Sequence, residues 1–254
     1  DISTRLYKSY LNQEYSYHLQ KHSAKIISNT ITESMQFAMS FTAPVIYLLT
    51  DIFIIIGIFT LLLIVEPFGA VSVLFIYLIG SLFLYSYSKD KSSRWGEARQ
   101  EHEAKRIQTA QQGISGIKDV KLYGLESVFS NYYSSSTGIS LKAGRLQTTL
   151  QGMPKIFFEL LTVLALSALI LSLYFSNTAS ADIISILGIF AMSAFKLLPS
   201  ISRLVSNIQA LRFGIPVIDI IEKELENEFV ESSKTFIDRL NYSKSINLEN
   251  INFL

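Results

Sequence analysis

The chain contains no cysteine. Disulfides and thiolate metal sites are therefore excluded, and redox compartment cannot be read from cysteine usage. Histidine is scarce, with only His18, His22 and His102. His18 and His22 share the i,i+4 spacing of a helical metal pair, but a structural zinc needs four ligands, so the two are read as a solvated loop face and no metal site is assigned. No G-x-x-x-x-G-K-[ST] phosphate loop occurs, so the residues assign no cofactor-binding site. Gly113, Gly116 and Gly124 are too widely spaced to form one and are read as helix breakers. No nucleophile–base arrangement is found, so no catalytic residue is assigned either. The most telling absence is cationic: no Lys or Arg lies between Lys25 and Lys89, nor between Lys155 and Lys196.

Each cation-free gap holds two apolar runs split by a short break. The first gap reads 44–65, then Glu66-Pro67-Phe68-Gly69, then 70–87. The second reads 156–175, then Ser176-Asn177-Thr178-Ala179-Ser180, then 181–198. A run of roughly 20 apolar residues crosses the ~30 Å hydrocarbon layer as a helix. Four spans follow, at about 44–65, 70–88, 156–175 and 182–200, and the fold class is an all-α membrane protein. Hydrophobic content of 49% and charged content of 17% agree with this, since soluble domains carry about 25% charged residues. Residues 89–155 hold eleven Lys and Arg against six Asp and Glu. That excess marks a cytoplasmic loop and is no sign of a nucleic-acid partner. The breaks at 66–69 and 176–180 then face outside. The aromatic residues near the span ends read as interfacial belts or packing.

The spans do not stop at the membrane. Residues 4–20 and 23–39 follow a helical pattern, the second leading into the first span, where Pro44 predicts a kink. Residues 88–112 are rich in good helix formers and reach on the order of 35 Å into the cytosol. Gly113 and Gly116 are expected to break that helix. Residues 118–133 then read as a short helix with an apolar stripe of Val120, Leu122, Leu125, Val128, Phe129 and Tyr132. The fourth span is expected to run past Pro199 through Arg203, Asn207 and Arg212 to Phe229. A charged linker, 222–244, precedes a strand-like alternation at Ile246, Leu248, Ile251 and Phe253.

Ionisable residues inside the spans are functional candidates. Asp51, Glu159 and Lys196 all fall ~21–24 Å below the outer surface at 1.5 Å per residue. Asp51 and Lys196 read as a polar patch on a substrate cavity, with snorkelling as the alternative. Glu159 reads as a local partner of Lys155, four residues earlier. Arg203, seven residues after Lys196, projects from nearly the same face. Such a cationic face suits an anionic cargo, or equally an inner-leaflet anchor.

These residues resemble the transmembrane half of an ABC exporter of the six-helix type, over nearly the whole chain. Gly113-Ile114-Ser115-Gly116-Ile117-Lys118-Asp119-Val120-Lys121-Leu122-Tyr123-Gly124-Leu125-Glu126 is similar to the signature before that family's second coupling helix. Arg5-Leu6-Tyr7-Lys8-Ser9-Tyr10-Leu11-Asn12-Gln13-Glu14-Tyr15 resembles the first coupling region, and Ile246-Asn247-Leu248-Glu249-Asn250-Ile251-Asn252-Phe253 the opening strand of the nucleotide-binding domain. The stretch from His18 to Asn29 is similar to that of PglK-type flippases, which move lipid-linked oligosaccharides.

The resemblance implies a transmembrane domain over 1–240, with four of six spans present, and the start of a nucleotide-binding domain at 241–254. It implies that ATP and Mg are bound by that domain and not by this chain, and that a Walker motif follows ~30–45 residues past Leu254. A second transporter half, making a homodimer, membrane lipid and an amphipathic or lipid-linked substrate are the implied partners, in the cell inner (plasma) membrane. Leu122, Leu125, Val128 and Phe129 become the implied docking face for the nucleotide-binding domain, since an exposed apolar patch implies a docking surface. The alternatives are a peptide or drug exporter and, from another class, a non-transport four-span scaffold or sensor.

Overall fold

Apolar runs bounded by helix formers, and few interior breakers, dictate long helices in this sequence. The computed structural model describes residues 2–65, 67–175 and 180–231. The strand-like segment at 246–253 and the end of the charged linker lie outside the described residues. Among those described there is no strand. In chain order come α1 (Ile2–Asn12), α2 (Tyr15–Gln20) and α3 (Ser23–Ile27). A π-helical segment, Ser28–Glu33, leads to α4 (Ser34–Phe37), and a second one, Ala38–Thr42, to α5 (Ala43–Val65). Residues 23–65 thus form one continuous helix. Then follow α6 (Pro67–Ser115), α7 (Ile117–Leu122), α8 (Glu126–Phe175) and α9 (Ser180–Glu231).

Four helices among the described residues are long and apolar enough to cross a membrane. They agree with the four runs read from the sequence and continue well beyond them. At 1.5 Å per residue, the 49 residues of α6 extend ~74 Å, more than twice the hydrocarbon thickness. The second π segment ends one residue before Ala43-Pro44. Pro44 has no N–H to give back along the helix, and the wider π turn is where the ladder adjusts to that loss.

Two expectations about the cytoplasmic tip need correction. Gly113 does not break α6, which continues to Ser115 and turns only at Gly116. Residues 118–133 are not one helix. α7 ends at Leu122, and Gly124 at φ 65° reverses the chain, a conformation that only glycine adopts without strain. The Leu125 N–H donates to the Val120 carbonyl across that turn (2.9 Å), in the manner of a glycine C-cap. α8 then starts at Glu126 and carries residues 134–152 as helix.

The long helices pack side by side, α6 antiparallel to α8 and parallel to α9, and α5 antiparallel to α9. Within the spans the core gathers Leu62, Tyr77, Phe158, Phe190 and Leu197. The Tyr77 hydroxyl would be costly to bury alone. It lies 2.6 Å from Thr162 Oγ1, which in turn donates to the Phe158 carbonyl (2.6 Å). A second core forms in the cytosol, where Leu6 and Tyr10 of α1 pack on Val217 and Ile221 of α9. Close approach elsewhere needs glycine. A Cβ on Gly96 would stand 2.2 Å from the Phe213 carbonyl oxygen, and one on Gly214 would stand 2.6 Å from Ser40 Cβ. Adjacent residues of α9 are thereby held between α6 on one side and the second π segment on the other.

Candidate functional site

The charged residues of the inner leaflet are distributed more selectively than their depths imply. Asp51 on α5 is buried and faces Arg203 on α9. Arg203 Nη2 donates to Asp51 Oδ1 at 2.6 Å, and Nε lies 3.2 Å from both carboxylate oxygens. The carboxylate side chain is 2% exposed and the guanidinium 54%. A bidentate fork of this kind is among the stronger protein ion pairs. Arg203 Nη2 also lies 3.4 Å from Ser200 Oγ.

Lys196 stays apart from this pair. It is exposed and makes no ion pair among the described residues. The shared cationic face is therefore unequal: the Arg203 charge is matched by Asp51, and Lys196 is the unmatched cation. Glu159 and Lys155 are both exposed, and the expected pair between them is not among the ion pairs of the described residues. Both side chains lie on the uncovered face of α8, and an i,i+4 pair adds only a few tenths of a kcal/mol. A narrow cleft between the spans is lined by Leu62, Tyr77, Thr162, Phe190 and Leu197, and none of Asp51, Lys196 or Arg203 reaches it.

Below the membrane the buried polar contacts tie helix to helix. Arg99 Nη2 of α6 donates to Glu33 Oε2 of the first π segment at 2.6 Å, with both side chains almost fully buried. One turn on, Glu103 pairs with Arg106 and accepts from Ser140 of α8 (2.9 Å). Tyr10 is buried and accepts from Asn29 Nδ2 (3.1 Å). Burial pushes its phenol well above the ordinary tyrosine range. Lys21, just after α2, meets Glu224 of α9 at 2.9 Å, and the Tyr17 hydroxyl donates to the same carboxylate (2.9 Å).

None of these contacts was assigned from the sequence. A usable signal existed: Glu33, Asp51 and Glu66 are the only acids in a gap without Lys or Arg. A buried carboxylate there must find its cation far along the chain, as Glu33 and Asp51 do.

Two short helices occupy the cytoplasmic tips. α7 presents Ile117, Leu122 and the following Tyr123 to solvent, with Leu122 and Tyr123 each 71% exposed. Leu125 and Val128 are less exposed, and Phe129 is half-buried against α6, where a Cβ on Gly113 would lie 3.1 Å from its ring. The stripe expected through Leu122, Leu125, Val128 and Phe129 is thus divided by the Gly124 turn: Leu122 is on the free tip and Phe129 is turned inward.

At the other end, the stretch 5–15 divides as well. α1 is packed through Leu6 and Tyr10 and leaves Tyr7 and Leu11 exposed, whereas α2 buries no residue and exposes Tyr15 and Leu19. His18 Nε2 lies 3.0 Å from the Tyr10 carbonyl oxygen and ties α2 to α1. Among the described residues no three His, Cys, Asp or Glu side chains are grouped to hold a metal ion.

Four long spans thus run far into the cytosol and end in small exposed helices. Residues 1–203 match the family described as the ABC transporter transmembrane region.

Proposed function

The chain belongs to the ABC transporter transmembrane family, and from that premise we propose that it is the membrane half of an ATP-driven exporter or flippase for an amphipathic, anionic, lipid-linked substrate such as a lipid-linked oligosaccharide. As a family member with four membrane-spanning helices it is a multi-pass membrane protein. ATP and Mg would act on a nucleotide-binding domain, and α2 and α7 are the surfaces offered to it. A second half, of the same or similar kind, would complete the transporter in the inner (plasma) membrane. The observation that carries the substrate reading is the charge balance around Asp51. With Arg203 matched by Asp51, Lys196 remains an exposed cation on α9 with no ion pair among the described residues, and the exposed part of Arg203 remains open on its other edge. Such a site favours a phosphate-bearing headgroup over a cationic one, because only the anion gains charge-assisted hydrogen bonds.

The test is substrate-stimulated ATP hydrolysis by the full-length protein in proteoliposomes. A pyrophosphate-linked oligosaccharide lipid should stimulate, and Lys196→Gln should weaken that stimulation about tenfold, the scale of one hydrogen bond to a charged group, with basal hydrolysis retained. Equal stimulation by a cationic amphiphile would favour a drug exporter and overturn the anionic reading.

A further inference from the structure

The cations of α6 change behaviour along its length. In the cytosol each finds a carboxylate: Arg99 pairs with Glu33, Lys105 with Glu101 and Arg106 with Glu103. Nearer the membrane, Lys89, Lys91 and Arg94 make no ion pair among the described residues. Asp90 and Glu97 lie four residues before and three residues after Arg94, and among the described residues neither makes an ion pair with these cations. Tyr87 ends the second span. At 1.5 Å per residue, Lys91 lies ~6 Å and Arg94 ~10 Å beyond it. The headgroup layer occupies roughly 5–8 Å on each side of the hydrocarbon, and a long arginine side chain can reach back into it.

The side chains are arranged for that layer. Lys91 folds back so that Nζ stands 3.5 Å from the centre of the Tyr87 ring, which fixes an ammonium at the interface. Ile79, Phe83, Tyr87 and Lys91 follow at four-residue steps with Arg94 one turn on, so they share one helix face. Ile79, Phe83 and Tyr87 are all more than half exposed. An apolar, outward-facing stripe therefore ends in two cations at headgroup depth that make no ion pair among the described residues. A neutral zwitterionic lipid would satisfy the stripe but bring its own cation beside Lys91 and Arg94. An anionic phospholipid satisfies both parts.

We propose that Tyr87, Lys91 and Arg94 form a binding site for the phosphate of one anionic phospholipid of the cytoplasmic leaflet, with an acyl chain lying along Ile79 and Phe83. Trp95, the one tryptophan of the chain, follows Lys91 by four residues on the same face and reports on the site. In the full-length protein reconstituted in phosphatidylcholine vesicles, the fluorescence difference between wild type and Trp95→Phe is quenched by traces of spin-labelled lipid. Spin-labelled phosphatidylglycerol should quench at about one-fifth the concentration needed with spin-labelled phosphatidylcholine, roughly the factor that one interfacial basic residue confers. K91Q/R94Q should abolish the preference and K91R/R94K should keep it. Should the glutamine variant fail to fold, the wild type in high salt replaces it, since screening must shrink the preference. Equal quenching by the two lipids overturns the proposal, as does a preference that survives K91Q/R94Q. Loss of the preference on adding inorganic phosphate at constant ionic strength would show that the site takes free phosphate, and the lipid assignment would fall.

Discussion

Asp51 and Arg203 stand 152 residues apart in sequence and meet across α5 and α9 through three nitrogen–oxygen contacts. The pair is lopsided, with a buried carboxylate and a half-exposed guanidinium. Removing the cation strands a buried anion, whereas removing the anion leaves a cation that can turn to water. Arg203→Gln should therefore destabilise the protein by on the order of 2 kcal/mol, less than a fully buried pair because solvent screens one partner. Asp51→Asn should cost less, and the double variant should recover part of the Arg203→Gln loss. Thermal unfolding in detergent checks the order of the three. An Asp51→Asn variant that unfolds well below Arg203→Gln would contradict it.

Glycine substitutions divide by position. Gly96→Ala drives a methyl group into the Phe213 carbonyl and must separate α6 from α9, and Gly214→Ala does the same between α9 and Ser40. Each should cost about 1–3 kcal/mol, the usual range for overpacking. Gly144→Ala on α8 meets nothing within 4 Å and should stabilise by roughly 0.5–1 kcal/mol through helix propensity alone. Melting temperatures of the three variants falling together would remove the packing argument.

Topology follows from charge. The breaks near Gly69 and Ser180 carry no Lys or Arg, and the loop between the second and third spans carries eleven from Lys89 to Lys155. Single cysteines at Gly69 and Ser180 should react with an impermeant maleimide in intact cells, and one at Ser135 should not. Labelling confined to Ser135 would invert the orientation.

The spans were legible because apolar length and missing cations are one-dimensional signals. The continuation of the helices into the cytosol was legible for a similar reason, as good helix formers run without proline through residues 88–112. What could not be read was pairing at a distance. Lys155 and Glu159 have the right local spacing yet stand apart, whereas Asp51 with Arg203 and Glu33 with Arg99 have no local spacing at all. Tertiary packing selects those partners, α5 against α9 for Asp51 with Arg203 and the first π segment against α6 for Glu33 with Arg99. The tip was misread for a different reason. An apolar periodicity through residues 118–133 looks helical, and only the positive φ at Gly124 divides it into a free helix and the start of α8.

That division sharpens the docking question. Leu122 and Tyr123 are solvent-facing and support nothing within their own bundle, so a charge there should leave folding intact. Phe129 packs on α6 at Gly113, so a charge there enters a partly desolvated contact and should cost several kcal/mol unless paired. Leu122→Asp is accordingly expected to insert and unfold like the wild type while lowering transport by tenfold or more, with ATP hydrolysis no longer following substrate. Phe129→Asp should lower the melting temperature first, and any loss of transport should follow the loss of folded protein. Both readouts come from one preparation of full-length protein in proteoliposomes. Wild-type transport in Leu122→Asp would remove α7 as the docking helix. A stable but uncoupled Phe129→Asp would instead restore the continuous stripe that the sequence alone had implied.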